Sequence, residues 1–188
     1  IFWIFLLTPY DNQRILTLGE KLHASPAVEK FAEGNFNWIE FNTEHRLLYA
    51  VGRGTNFLLA FDTAYLDQPP RRSKTDIGKT QSFAFNPDLQ ELYVYQAETG
   101  ELLYLDALNL ETFRSVPVTD LSPGDVWVNW QRGTDSITIA SEADLETGTP
   151  FEMIDRASGE TTAVIPLPLI PTNITFHPDK DILYFNSF

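Results

Sequence analysis

The chain contains no cysteine, which excludes disulfides, zinc–thiolate centres and thiol nucleophiles. Basic residues are scarce: 13 Lys and Arg stand against 26 Asp and Glu, for a formal net charge of −13. Nucleic-acid binding rests on cationic contacts with phosphates, so this balance speaks against a nucleic-acid partner. It also disfavours docking on an anionic membrane surface. The acidity suits a soluble protein, with cation binding as the rarer use of the same charge. After the first few residues no segment carries apolar residues at a 3.6-residue rhythm, which removes a helical repeat from consideration.

Apolar residues are abundant, at 43%, and aromatics reach 13%, enough to build a packed core and too many for a disordered chain. The 12 prolines and 10 glycines are dispersed, as expected when turns separate many short elements.

One pattern appears four times among the 188 residues: an aromatic-rich strand, a polar turn, then a strand of Leu, Ile, Tyr and Val. The first strands are Trp38-Ile39-Glu40-Phe41-Asn42, Phe83-Ala84-Phe85-Asn86, Trp127-Val128-Asn129-Trp130 and Ile174-Thr175-Phe176. Their anchors Phe41, Phe85, Trp130 and Phe176 lie 44, 45 and 46 residues apart. The second strands are Leu47–Val51, Leu92–Tyr95, Ile137–Ala140 and Ile182–Phe185, short and β-branched or aromatic. Asn86-Pro87-Asp88 and His177-Pro178-Asp179 suit tight hairpins, because proline presets φ and Asp tolerates the next position. Third strands end in Asp62, Asp106 and Asp155. Fourth strands are clearest at Arg114–Val118 and Thr162–Leu167, whose prolines place them at an outer edge.

Four short strands at a period near 45 predict an all-β chain, a β-propeller. The blades occupy residues 35–188, about three complete and the start of a fourth. One blade alone cannot bury its faces. An N-terminal strand pair joined to the C-terminal pair would close a four-bladed ring, the smallest commonly seen. The favoured reading is a partial ring of a larger propeller, cut at both ends. The strands Phe85-Asn86-Pro87-Asp88 and Leu92-Tyr93-Val94, with Asp62, Asp106 and Asp155, resemble the YVTN family of β-propellers and its quinoprotein-like and lactonase-like relatives. The usual glycine after the Pro-Asp turn is replaced by Leu89 and Lys180. WD-repeat propellers fit less well, since no Gly-His or Trp-Asp pair recurs.

Residues 1–10 carry no polar residue through Leu7. They read either as the end of a transmembrane anchor, with Trp3 and Tyr10 near the interface, or as a buried blade strand. Ten residues alone cannot span a bilayer, which needs about 20. Residues 11–34 read as a linker, or as an outer strand at Arg14–Leu18 followed by a linker.

Each candidate site has a structural reading that fits better. His23, His45 and His177 have no metal-motif spacing, and His45 and His177 sit at or near hairpin turns. The recurrent Asp62, Asp106 and Asp155 could ring a cation, but they suit capping of the turn after the third strand. Asp179 and Asp181 about Lys180 lack the remaining ligands and the glycine of a calcium loop. Gly52-Arg53-Gly54-Thr55 lacks the following helix that a phosphate loop needs. Arg71-Arg72-Ser73-Lys74 is the one basic run, read as a solvated loop entering the outer strand rather than an anion site. Trp38 and Trp127, with Phe83 at the matching position, read as inter-blade packing rather than, with Trp3 and Trp130, a carbohydrate platform.

The sequence therefore predicts no cofactor, no metal site and no identifiable catalytic residue. The expected function is a non-enzymatic scaffold binding a protein or small-molecule ligand at the propeller face, extracytoplasmic and tethered to a membrane. The alternative implied by the resemblance is an enzyme of lactonase-like or quinoprotein-like type, with its site in further blades.

Overall fold

The computed structural model describes residues 36–52, 56–78, 80, 82–118, 126–141, 149–167, 173–176 and 182–186. Three four-stranded antiparallel sheets follow one another along the chain, then a two-stranded one. The first blade holds β1 (Phe36–Asn42), β2 (Leu47–Gly52), β3 (Leu59–Asp62) and β4 (Arg71–Arg72). The second holds β5 (Phe83–Asn86), β6 (Glu91–Gln96), β7 (Glu101–Asp106) and β8 (Thr112–Pro117). The third holds β9 (Val126–Gln131), β10 (Ser136–Ser141), β11 (Thr149–Asp155) and β12 (Thr161–Leu167), and β13 (Asn173–Phe176) and β14 (Leu183–Asn186) form the last pair. Each sheet is a simple meander, so every strand pairs with its neighbours in sequence. No helix occurs among the described residues.

Successive first strands touch: β1 meets β5, β5 meets β9, and β9 meets β13. The first strands therefore gather near a common axis, and β4, β8 and β12 form the outer edges. That is the radial arrangement of a propeller. Pro117 and Pro166 fall in outer strands, where a missing N–H interrupts no central ladder. The basic run differs from expectation in one respect: Arg71 and Arg72 are themselves the outer strand.

Side chains alternate between the two faces of each sheet. Leu47, Tyr49, Val51, Leu58, Ala60 and Ile77 of the first blade pack against Phe83, Leu92, Val94, Leu103 and Leu105 of the second. Tyr93, Tyr95, Leu102 and Tyr104 meet Val126, Val128, Ile137 and Ile139 of the third in the same way. Fully burying a large apolar side chain contributes about 1.5–3 kcal/mol, so the seams between blades are the main source of stability.

Register corrects one equivalence. Asn42, Asn86 and Gln131 each close the first hairpin, pairing with Leu47, Glu91 and Ser136. Counting back from them, Trp38 matches Trp127, but the second blade places Ser82 there, and Phe83 matches Ile39 and Val128. Ser82 serves the seam through its hydroxyl, accepting from Val128 N at 2.8 Å and donating to Val126 O at 3.2 Å.

Candidate functional site

The first hairpin turns share one backbone solution. Arg46, Gln90 and Asp135, the last turn residue of each blade, have φ of 55°, 55° and 48°. The left-handed position thus falls one residue after Leu89, and none of these three described turns uses glycine for it. Asn42 and Asn86 direct their amides to the hydroxyls of Tyr49 and Tyr93, at 3.1 and 2.9 Å. Their side-chain oxygens accept turn N–H groups, Asn42 from His45 and Asn86 from Asp88 and Leu89. Tyr49 then donates across the seam to Ala107 O at 2.9 Å, while Tyr93 donates to Glu91 Oε2 at 2.9 Å. Burial pushes both phenols up from their ordinary range.

The strand-end aspartates act on their own turns. Asp62 accepts from Ala64 N, Asp106 from Leu108 N and Asn109 N, and Asp155 from Ser158 N and Oγ. The Ser158 N–H holds the Asp155 carboxyl below the usual range. With their oxygens turned into the backbone, the three point to turn capping and not to a shared ion. Among the described residues no group of three His, Asp or Glu is placed to hold a metal.

Arg71 and Lys74 of the basic run reach the neighbouring blade, while Arg72 stays on its own. Arg71 donates to Leu108 O, Lys74 pairs with Glu111, Arg72 lies 5.0 Å over the Phe57 ring, and Thr75 meets Thr112 at 2.8 Å. Asp88 and Arg132 form a two-pronged pair across the next seam, which holds the Asp88 carboxyl low. Arg156 binds both oxygens of Asp135 at 2.9 Å and approaches Glu91 at 3.6 Å. Arg114 stacks 4.8 Å over Tyr104 and donates to Arg156 O, Ala157 O and Ser158 O.

Trp38 and Trp130 pack in seams between blades, whereas Trp127 packs with Ala140, Phe151 and Met153 of its own blade; Trp130 also donates to Asp135 at 3.2 Å. His45 is exposed on its turn, with Nε2 4.0 Å from Glu44. Gly52 ends β2, while residues 53–55 lie outside the described residues. So do Trp3, His23, His177, Asp179, Lys180, Asp181 and the expected anchor at residues 1–10.

Glu40 is the only ionisable side chain on the inner strands β1, β5, β9 and β13. It sits half-buried on the face of β1 that carries Trp38 and Asn42, directly opposite Tyr49 in the ladder. Tyr49 meets the Phe83 and Phe85 rings at 6.5 and 5.4 Å, so this face is apolar. Burial raises the Glu40 carboxyl to about 7, and a 3.2 Å hydrogen bond from Trp38 Nε1 only partly offsets it. Near neutral pH the group divides between acid and carboxylate, able to donate or accept a proton beside the axis. A lone charge in an apolar alternation was the available sequence signal.

Neither a protein-family model nor a curated protein sequence matches the chain. Solved structures do, and they are β-propellers. Kuenenia stuttgartiensis hydrazine synthase aligns at TM-score 0.58 and 15% identity, over 72% of this chain and 37% of its own. Citrobacter koseri AztD aligns at 0.56 and 19%, over 75% and 37%. Dihydro-heme d1 dehydrogenase NirN, in complex with DHE, aligns at 0.56 and 20%, over 80% and 32%. The chain spans roughly a third of the length of these structures. Fold and seams together define a β-propeller scaffold, here as part of a ring.

Proposed function

We propose that this chain is part of a non-enzymatic binding propeller of YVTN type, taking a protein or small-molecule ligand beside the axis at Trp38 and Glu40. The observation that carries the reading is Glu40, an ionisable group placed alone on the inner strands and held by burial near pH 7. Isolated carboxyls on apolar faces are costly for stability, and perturbed ones concentrate at functional sites. The other charged clusters are occupied by seams and turns. The test is a small-molecule thermal-shift screen on wild type and Glu40→Gln. Ligands should stabilise the wild type and lose that effect in the variant. A screen whose hits all ignore the substitution removes Glu40 from the site.

A second reading, a propeller enzyme, draws on the same carboxyl, since a group near pH 7 suits general acid–base work. Hydrazine synthase and dihydro-heme d1 dehydrogenase are enzymes by name, which places catalysis within the range of the fold. Turnover abolished by Glu40→Gln with ligand binding retained would favour it. In both readings the propeller is extracytoplasmic, with residues 1–10 as its tether. No described helix is long and apolar enough to cross a membrane. Membrane fractionation with and without residues 1–10 checks the tether.

A further inference from the structure

The face of β1 that meets the second blade sets the Glu40 carboxyl among aromatic rings. Trp38 and Phe85 both pack against the first seam, and both stay half-buried. Glu40 lies directly opposite Tyr49 in the ladder, so their side chains share a face. The Tyr49 and Phe85 rings are 5.4 Å apart on that side. Trp38, two residues before Glu40, lies on the same face and donates from Nε1 to Glu40 Oε1 at 3.2 Å. Among the described residues this is the one hydrogen bond that the carboxyl receives.

The neighbouring polar groups are committed elsewhere. Tyr49 donates its hydroxyl to Ala107 O, and the Asn42 amide serves Tyr49 and Gln90. No Lys or Arg stands on β1, β2 or β5, the strands around the carboxyl. Arg71 of β4 and Asp106 of β7 bear on the Tyr49 phenol with opposite charge, and Arg71 is tied to Leu108 O. The chain here supplies a negative group and aromatic surface, without a positive partner for either. A neutral apolar ligand would cover the carboxyl and leave it desolvated, and an anion would add repulsion. A cation with an organic body suits both parts, since ring faces attract cations, Trp most strongly.

On the reading that a ligand binds at Trp38 and Glu40, we propose that this ligand is an organic cation, presenting an ammonium group to the Glu40 carboxylate against Trp38 and Phe85. Only the ionised carboxyl offers that contact, so binding to the acid form must expel its proton. Burial places the folded group at about 7, and affinity therefore rises as pH rises through that value. A quaternary ammonium has no proton of its own to lose, so its pH dependence reports Glu40.

Titration of choline into the isotope-labelled 188-residue chain, followed at the tryptophan indole N–H resonances, tests the proposal. Trp38→Phe assigns the Trp38 signal. That signal should move, with affinity about tenfold tighter at pH 8 than at pH 6. Glu40→Gln should weaken binding more than about tenfold, while Glu40→Asp, which keeps the charge, should retain the pH dependence. The uncharged isostere of choline, with carbon in place of nitrogen, should not bind. A tripeptide with a central trimethyl-lysine, run beside choline, separates a chain-borne ammonium from a free one by which binds more tightly. The spread of the remaining resonances verifies the fold of each variant. Choline binding that ignores both pH and Glu40→Gln overturns the proposal, as does equal binding of the isostere. Neutral or anionic compounds that move Trp38 and need Glu40, where ammonium compounds fail, overturn the cation and leave the site standing. A Trp38 signal that no class of compound moves overturns both.

Discussion

Glu40 pits burial against one hydrogen bond, and burial wins. Unfolded, its carboxyl titrates near 4.5; folded, it titrates at about 7. Between those values the folded chain holds a proton that the unfolded chain has released. Stability from this group is complete below pH 4.5 and is lost as pH rises through about 7. Glu40→Gln removes the dependence, so the melting temperature of the variant should gain on wild type across that window. Calorimetry at a series of pH values reads it, and parallel profiles would contradict the placement of Glu40. Tyr93 offers a second test at this scale. Its hydroxyl joins Asn86 to Glu91, and Tyr93→Phe leaves a buried amide short of a partner, for an expected loss of about 1–3 kcal/mol in urea unfolding.

Turns make their predictions at the level of the element. Arg46 is exposed and left-handed, a conformation that costs a side-chain-bearing residue about 1–2 kcal/mol. Glycine removes that strain but adds about 0.5–1 kcal/mol of unfolded-state entropy. Arg46→Gly should therefore stabilise modestly, by less than about 1 kcal/mol after the offset, read as a raised denaturation midpoint. Gly159 predicts the opposite sign. With φ at 78°, a Cβ there would lie 2.6 Å from Arg114 Nη2 and from Val116 Cγ1. Gly159→Ala should destabilise by more than about 1 kcal/mol and disturb the Arg114 contacts with the turn. Leu110 holds the equivalent left-handed position in the second blade, where its fully buried side chain compensates.

The strands, their order and the capping role of the aspartates could be read in advance, because period-two alternation and Asn, Pro and Asp at turns act locally. The match of Trp38 to Phe83 failed for a local reason too: an aromatic one residue along imitates the pattern, and only ladder register separates Ser82 from Phe83. The fate of Arg71 and Lys74 was not readable, since their partners Leu108 and Glu111 lie 37 residues away on another blade. The raised Glu40 carboxyl was not readable either, because its burial exists only in the folded chain.

Across the whole molecule, stability resides in the seams, and polar staples set their register. Because Asp88 and Arg132 are both exposed, their pair should contribute little: Arg132→Ala is expected to shift the unfolding midpoint only slightly, whereas Tyr49→Ala in the buried seam should cost about 3–5 kcal/mol. Equilibrium unfolding of both variants makes the comparison, and a reversed order would move the source of cohesion from packing to charge.

The brevity of β4 bears on behaviour in crowded solution. A sheet edge with unpaired amides is a template on which foreign strands can add and fibrils can grow. In the first blade that template is two residues long, and both are arginines tied to other partners. The six-residue edge of β8 is interrupted at its end by Pro117, but it exposes Phe113 to 57%. Of these two rims, the one at Phe113 is where aggregation of this chain should begin.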